Sequence, residues 1–123
     1  MNIESRKQMK YVIAKDLEMY KKAGYKNDII SFFMNNDVGR LVKYMKNLRH
    51  EEYWLFRKKS NIITKAVTLF YRSRRQAIGG KIGVFVPPGT VGYGLWILHS
   101  GNIIVNERAK IGNNCVFAGM NCI

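Results

Sequence analysis

Val105-Asn106-Glu107-Arg108-Ala109-Lys110, Ile111-Gly112-Asn113-Asn114-Cys115-Val116 and Phe117-Ala118-Gly119-Met120-Asn121-Cys122 repeat with a period of six, and Ile123 opens a fourth unit. Each unit starts on a large apolar residue and carries a small one, Ala109, Cys115 or Asn121, in fifth place. This is the pattern of a hexapeptide parallel β-helix. A six-residue unit makes one short strand and one turn. Its first side chain points into a prism, and the small fifth side chain fits where the chain turns a corner. Asn and Gly tolerate the backbone of such turns.

Working back from the repeats, Leu95, Ile97 and His99 alternate with Trp96 and Leu98 as in a strand. Ile97 and Ile103 keep the six-residue step, but Val105 follows Ile103 by only two, which predicts a local insertion next to His99. Further back, Val86-Pro87-Pro88-Gly89 and Val91-Gly92-Tyr93-Gly94 punctuate short apolar steps. Before Gly79-Gly80 the composition changes, and that pair is taken as the boundary between a helical unit, residues 1–78, and a repeat unit, residues 79–123.

In the helical unit Tyr11, Ile13, Ala14, Leu17 and Tyr20 recur at helical intervals, with a stop at Ala23-Gly24. Asp28 is a candidate cap for a short helix through Ile29, Ile30, Phe32 and Phe33, and Asp37 for the next. There Leu41, Met45, Leu48 and Leu55 fall on one face beside Tyr44. Asn61 caps a last helix whose Ile62, Ile63, Ala66, Val67 and Phe70 form an apolar stripe, expected to pack against other helices. The fold class expected is α+β, a helical unit followed by the first coils of a left-handed parallel β-helix.

Twenty-one basic residues against eight acidic ones give a formal charge of +13. Such a chain attracts polyanions: nucleic acid, anionic membrane, acidic polysaccharide or nucleotide cofactors. The run Arg72-Ser73-Arg74-Arg75 is the densest cluster. It reads as a solvated face or as a polyanion contact. No zinc-finger spacing or aromatic RNA-binding signature accompanies it, so no specific nucleic acid is expected. Two cysteines, Cys115 and Cys122, support neither a disulfide framework nor a metal site, because His50 and His99 stand at no ligand spacing from them. No run approaches the roughly 20 apolar residues that span a bilayer, and the polar start lacks a secretory core, so a cytoplasmic protein is expected.

The order Val86-Pro87-Pro88, Val91-Gly92-Tyr93-Gly94-Leu95-Trp96-Ile97-Leu98-His99, Ile103-Ile104-Val105-Asn106 and Ala109-Lys110-Ile111-Gly112-Asn113-Asn114-Cys115 resembles the serine acetyltransferase family. It is nearer to the branch that O-acetylates polysaccharides and glycans. The resemblance covers about residues 79–123; over 1–78 it is one of layout and basic character. It implies transfer of an acetyl group from acetyl-CoA, a co-substrate and not a resident cofactor, to the hydroxyl of a sugar or serine. It makes His99 the catalytic base. Histidine suits this work, because it can take the hydroxyl proton at neutral pH as the oxygen attacks the thioester.

The resemblance also implies a homotrimer with active sites between subunits and an acetyl-CoA site expected beyond Ile123. Three departures qualify it. The family's serine-specific members carry aspartate where Leu98 stands and another near Val84, and residues 81–98 hold no carboxylate. That favours a neutral sugar hydroxyl over free serine and leaves the base without an orienting carboxylate. A further family histidine falls past the last residue. Finally, two coils are fewer than such a fold needs, so a truncated frame, a fragment or one half of a split gene is expected. The alternative is a basic polyanion-binding or oligomerisation module without catalytic activity.

Overall fold

A computed structural model describes residues 3–22, 24–27, 37–57 and 61–123. The expected short helix after Asp28 and the side chain of Asp37 lie outside the described residues. Among those described, the architecture is mixed. Three helices, α1 (Arg6–Lys22), α2 (Asp37–Leu55) and α3 (Ile62–Ile82), precede four two-residue strands, β1 (Val84–Phe85), β2 (Trp96–Ile97), β3 (Ile103–Ile104) and β4 (Val116–Phe117).

The strands pair in parallel with long returns. β1 pairs with β3, Val84 opposite Ile103, and β2 with β4, Trp96 opposite Val116. Isolated bridges join Val91 to Ile111 and Ile104 to Cys122. The chain therefore passes over itself along three lines. Val84, Ile97, Ile103 and Phe117 are buried, whereas Phe85, Ile104 and Val116 are exposed. A strand's two-residue side-chain period enforces that division. One corner shows the backbone demand clearly. Gly94 (φ 74°) lies under Asn114 (φ 58°), and a Cβ on Gly94 would come within 2.3 Å of the Asn114 Oδ1. Of the expected inward first positions, Val105 and Phe117 are buried, Ile111 is half-buried and Ile123 is exposed.

α3 starts as expected. The Asn61 side chain accepts from the Thr64 N–H at 2.9 Å, and the Thr64 hydroxyl oxygen accepts from the Asn61 N–H at 2.7 Å. Two expectations for this helix are corrected. First, it runs through Gly79-Gly80 to Ile82 and stops at Gly83, whose φ is 69°. Gly79 lies against β1, where a Cβ would stand 2.5 Å from the Val84 carbonyl oxygen. The glycine pair thus lies inside the helix, and Gly79 lets it approach β1 closely. A single apolar cluster joins Tyr20, Leu41, Tyr44 and Leu48 to Val84, Leu95, Ile97 and Phe117. Second, the Ile62, Ile63, Ala66 and Phe70 stripe faces solvent. The buried face of α3 is Thr64, Arg75, Gly79 and Ile82, on which Arg75 pairs with Glu51 of α2.

The stripe of α2 packs inward at Leu41, Tyr44, Met45 and Leu48, while Leu55 at its end is exposed. α1 buries Met9, Val12, Asp16 and Tyr20 and leaves Tyr11 exposed. Its inward face is therefore rotated from the expected one, because a charged residue, Asp16, occupies its middle.

His50 of α2 stacks on Tyr71 of α3 with ring centroids 4.9 Å apart and planes 12° from parallel. Partial burial, and then Lys46, hold its pKa below the ordinary value. Between the folded and unfolded pKa values the unfolded chain holds the proton and the folded one does not, so acidification favours unfolding. His50 should therefore cost stability as pH falls from about 7 towards 5. Thermal melts should show a gap between wild type and His50→Gln that shrinks on acidification. A constant gap would remove His50 from the account.

Candidate functional site

His99 follows β2 in an exposed bend, and only Trp96–Ile97 of the expected longer strand is paired. The reason lies in the register. Ile97 sits opposite Phe117, twenty residues on, yet Ile104 sits opposite Cys122, eighteen residues on. Gly101 and Asn102 (φ 119° and 48°) repeat the conformation of Gly119 and Met120 (φ 108° and 52°), and the Met120 N–H donates to the Gly101 carbonyl at 3.2 Å. Leu98, His99 and Ser100 therefore occupy the corner that Ala118 alone turns in the next pass. The insertion expected from the spacing break is these two extra residues, and His99 lies within it.

The loop is tied at both ends. The Leu98 N–H donates to the Phe117 carbonyl at 3.0 Å, and the Gly101 N–H to the Ile82 carbonyl at 2.7 Å. Between those ties the His99 ring is exposed, and among the described residues no side chain hydrogen-bonds to it. Beside it the Ser100 hydroxyl is buried without a hydrogen-bond partner. The chemistry on offer is an imidazole free to meet a ligand. Cys115 and Cys122 are free thiols, and no cluster of potential metal ligands occurs among the described residues.

What positions this loop is a polar clamp between the helices and the first of the parallel passes. Arg49 of α2 is fully buried. Its Nε donates to Asp16 Oδ2 at 2.7 Å and its Nη1 to Glu52 Oε2 at 3.0 Å. The same guanidinium donates to the Val91 and Gly92 carbonyls at 2.9 and 2.6 Å. Asp16 accepts from the Leu95 N–H at 2.9 Å, Glu52 from the Gly89 N–H at 3.1 Å and the Tyr20 hydroxyl from the Ile97 N–H at 3.3 Å. On the other side the Tyr44 hydroxyl accepts from the Val86 N–H at 2.8 Å. Arg75, ion-paired with Glu51, donates to the Val86 carbonyl at 3.2 Å.

These backbone groups alternate with those that bond to the next pass, such as Phe85 O, Trp96 N and Leu98 N. The helices thus occupy the edge where another strand would otherwise pair, and satisfy it with side chains. Burial raises the pKa of the Asp16 and Glu52 carboxyls despite Arg49. It also pushes the Tyr20 hydroxyl well up. For Arg49 burial works the other way, and Glu52 and Asp16 outweigh it, so the guanidinium stays charged.

The sequence put Tyr20 and Tyr44 on helix faces and Arg75 in a basic run, but it did not single out Asp16, Arg49, Glu51 or Glu52 or foresee the buried pairing. The run Arg72-Ser73-Arg74-Arg75 is also split. Arg75 points inward to Glu51, Arg72 is exposed but also pairs with Glu51 at 3.7 Å, and Arg74 is exposed. Comparison with protein-family models, curated proteins and solved structures gave no match.

Proposed function

We propose that this chain acts in acetyl transfer from acetyl-CoA to a hydroxyl, with His99 as general base and its parallel passes forming coils of a left-handed β-helix. The observation that carries the reading is the exposed His99 ring on a two-residue insertion at a corner where successive passes stack. Returns of eighteen to twenty residues, close to three hexapeptide units, support the β-helix. In the reaction the imidazole takes the acceptor's proton as its oxygen attacks the thioester carbonyl carbon. The tetrahedral intermediate then collapses, the C–S bond breaks, and the CoA sulfur leaves with the proton that His99 carried.

The acceptor is a neutral sugar hydroxyl. No carboxylate occurs between Lys81 and Leu98 to meet an ammonium group, and none bonds to His99 among the described residues. The working form is a cytoplasmic homotrimer in which a neighbouring subunit completes the site. The test is release of CoA thiol from acetyl-CoA by the intact protein with neutral sugars and with serine. Release with a sugar and little with serine is expected. No release with any hydroxyl acceptor would overturn the reading.

A further inference from the structure

The apolar stripe of α3 belongs neither to the core nor to the His99 corner. Ile62, Ala66, Leu69, Phe70, Ser73 and Ala77 line one helical face and all are exposed, Ile62 at 83%, Leu69 at 56% and Phe70 at 54%. Ile63 adjoins them at 67%. Lys65 and Arg72 flank this face on one edge, Arg74 and Lys81 on the other, and all four are exposed. Arg74 lies over the Phe70 ring at 5.6 Å. The helix has no Asp or Glu anywhere along its length. At its N-terminal end the face runs into an apolar groove of about 330 Å³ lined by Trp54, Leu55, Lys65, Thr68 and Leu69 among others. Beside it Arg57 sits 4.9 Å from the Trp54 ring.

We infer that α3 lies in the surface of an anionic membrane, with Ile62, Leu69 and Phe70 in the headgroup–acyl boundary and Lys65, Arg74 and Lys81 on lipid phosphates. This goes beyond acetyl transfer and stands independently of it. Large apolar side chains bordered by cations on the outer face of a helix are the composition of an interfacial helix. A nucleic acid would use the cations but has no need of the apolar row. A second protein chain would use the apolar row, but an identical copy would bring the same cations face to face. An anionic bilayer meets both features. Among the described residues no helix is long and apolar enough to cross a membrane.

The experiment is co-sedimentation of the full chain with vesicles of phosphatidylcholine alone and with about a third phosphatidylglycerol. Binding to the anionic vesicles only, weakened by salt, is expected. Two double variants separate the contributions, each altering exposed side chains. Leu69→Ser with Phe70→Ser and Lys65→Gln with Arg74→Gln should each lower the bound fraction constant at least tenfold, with helix content by circular dichroism unchanged. Equal binding to both vesicle types, or none to either, would overturn the inference. So would wild-type binding by the serine pair, which marks a charge-only surface suited to nucleic acid. A serine pair that abolishes self-association while vesicle binding persists would assign the face to a second copy instead.

Discussion

Replacing Arg49 with Met should destabilise the protein by about 3–5 kcal/mol, the cost of leaving partners of a buried ion pair uncompensated. Methionine approximates the length of the arginine stem, so the loss is electrostatic more than steric. Asp16 and Glu52 would remain buried beside each other without their shared cation, and the Val91 and Gly92 carbonyls would lose their donor. The damage should be concentrated where the first of the parallel passes meets α1 and α2. Chemical denaturation should report the lower stability. Hydrogen exchange should show the amides of Leu95 and Ile97 losing protection before those in the middle of α2. A variant as stable as wild type would mean that packing, not the polar clamp, joins the two parts.

The second large effect contrasts two adjacent residues. Gly79→Ala should destabilise by about 1–3 kcal/mol, the usual range for overpacking a close contact. The new methyl would stand 2.5 Å from the Val84 carbonyl and 3.0 Å from the Tyr44 ring. Gly80→Ala should instead stabilise by about 0.5–1 kcal/mol, because alanine is the better helix former and nothing lies within 4 Å of the added carbon. Paired thermal melts decide the matter. Opposite signs are expected; stabilisation by both would show that α3 and β1 are not in close approach.

The residues legible in the sequence are those whose type announces their role. Asn61 stands before an apolar run with Thr64 three residues on, and the structure forms the expected cap. The break in spacing between Ile97, Ile103 and Val105 announced the insertion around His99, and the register places two extra residues there. The clamp was illegible because charged residues are ordinarily solvated. Asp16, Arg49, Glu51, Glu52 and Arg75 are buried with charged partners, and only the Arg49–Glu52 pair is local. Pairs 24 and 33 residues apart, Glu51 with Arg75 and Asp16 with Arg49, leave no local pattern. The same blindness misassigned the stripe on α3. Its apolar residues look like a core face until Arg75 and Thr64 are seen to take the inner side.

The His99 ring is exposed, and among the described residues no side chain hydrogen-bonds to it, so its replacement separates chemistry from stability. The decisive measurement is the rate of acetyl transfer from acetyl-CoA to a neutral sugar by the intact protein and by His99→Gln, with thermal stability measured alongside. A general base is typically worth about 10²–10⁴ in rate, so transfer should fall by that factor while the melting temperature stays unchanged. Transfer by His99→Gln at the wild-type rate would contradict the account.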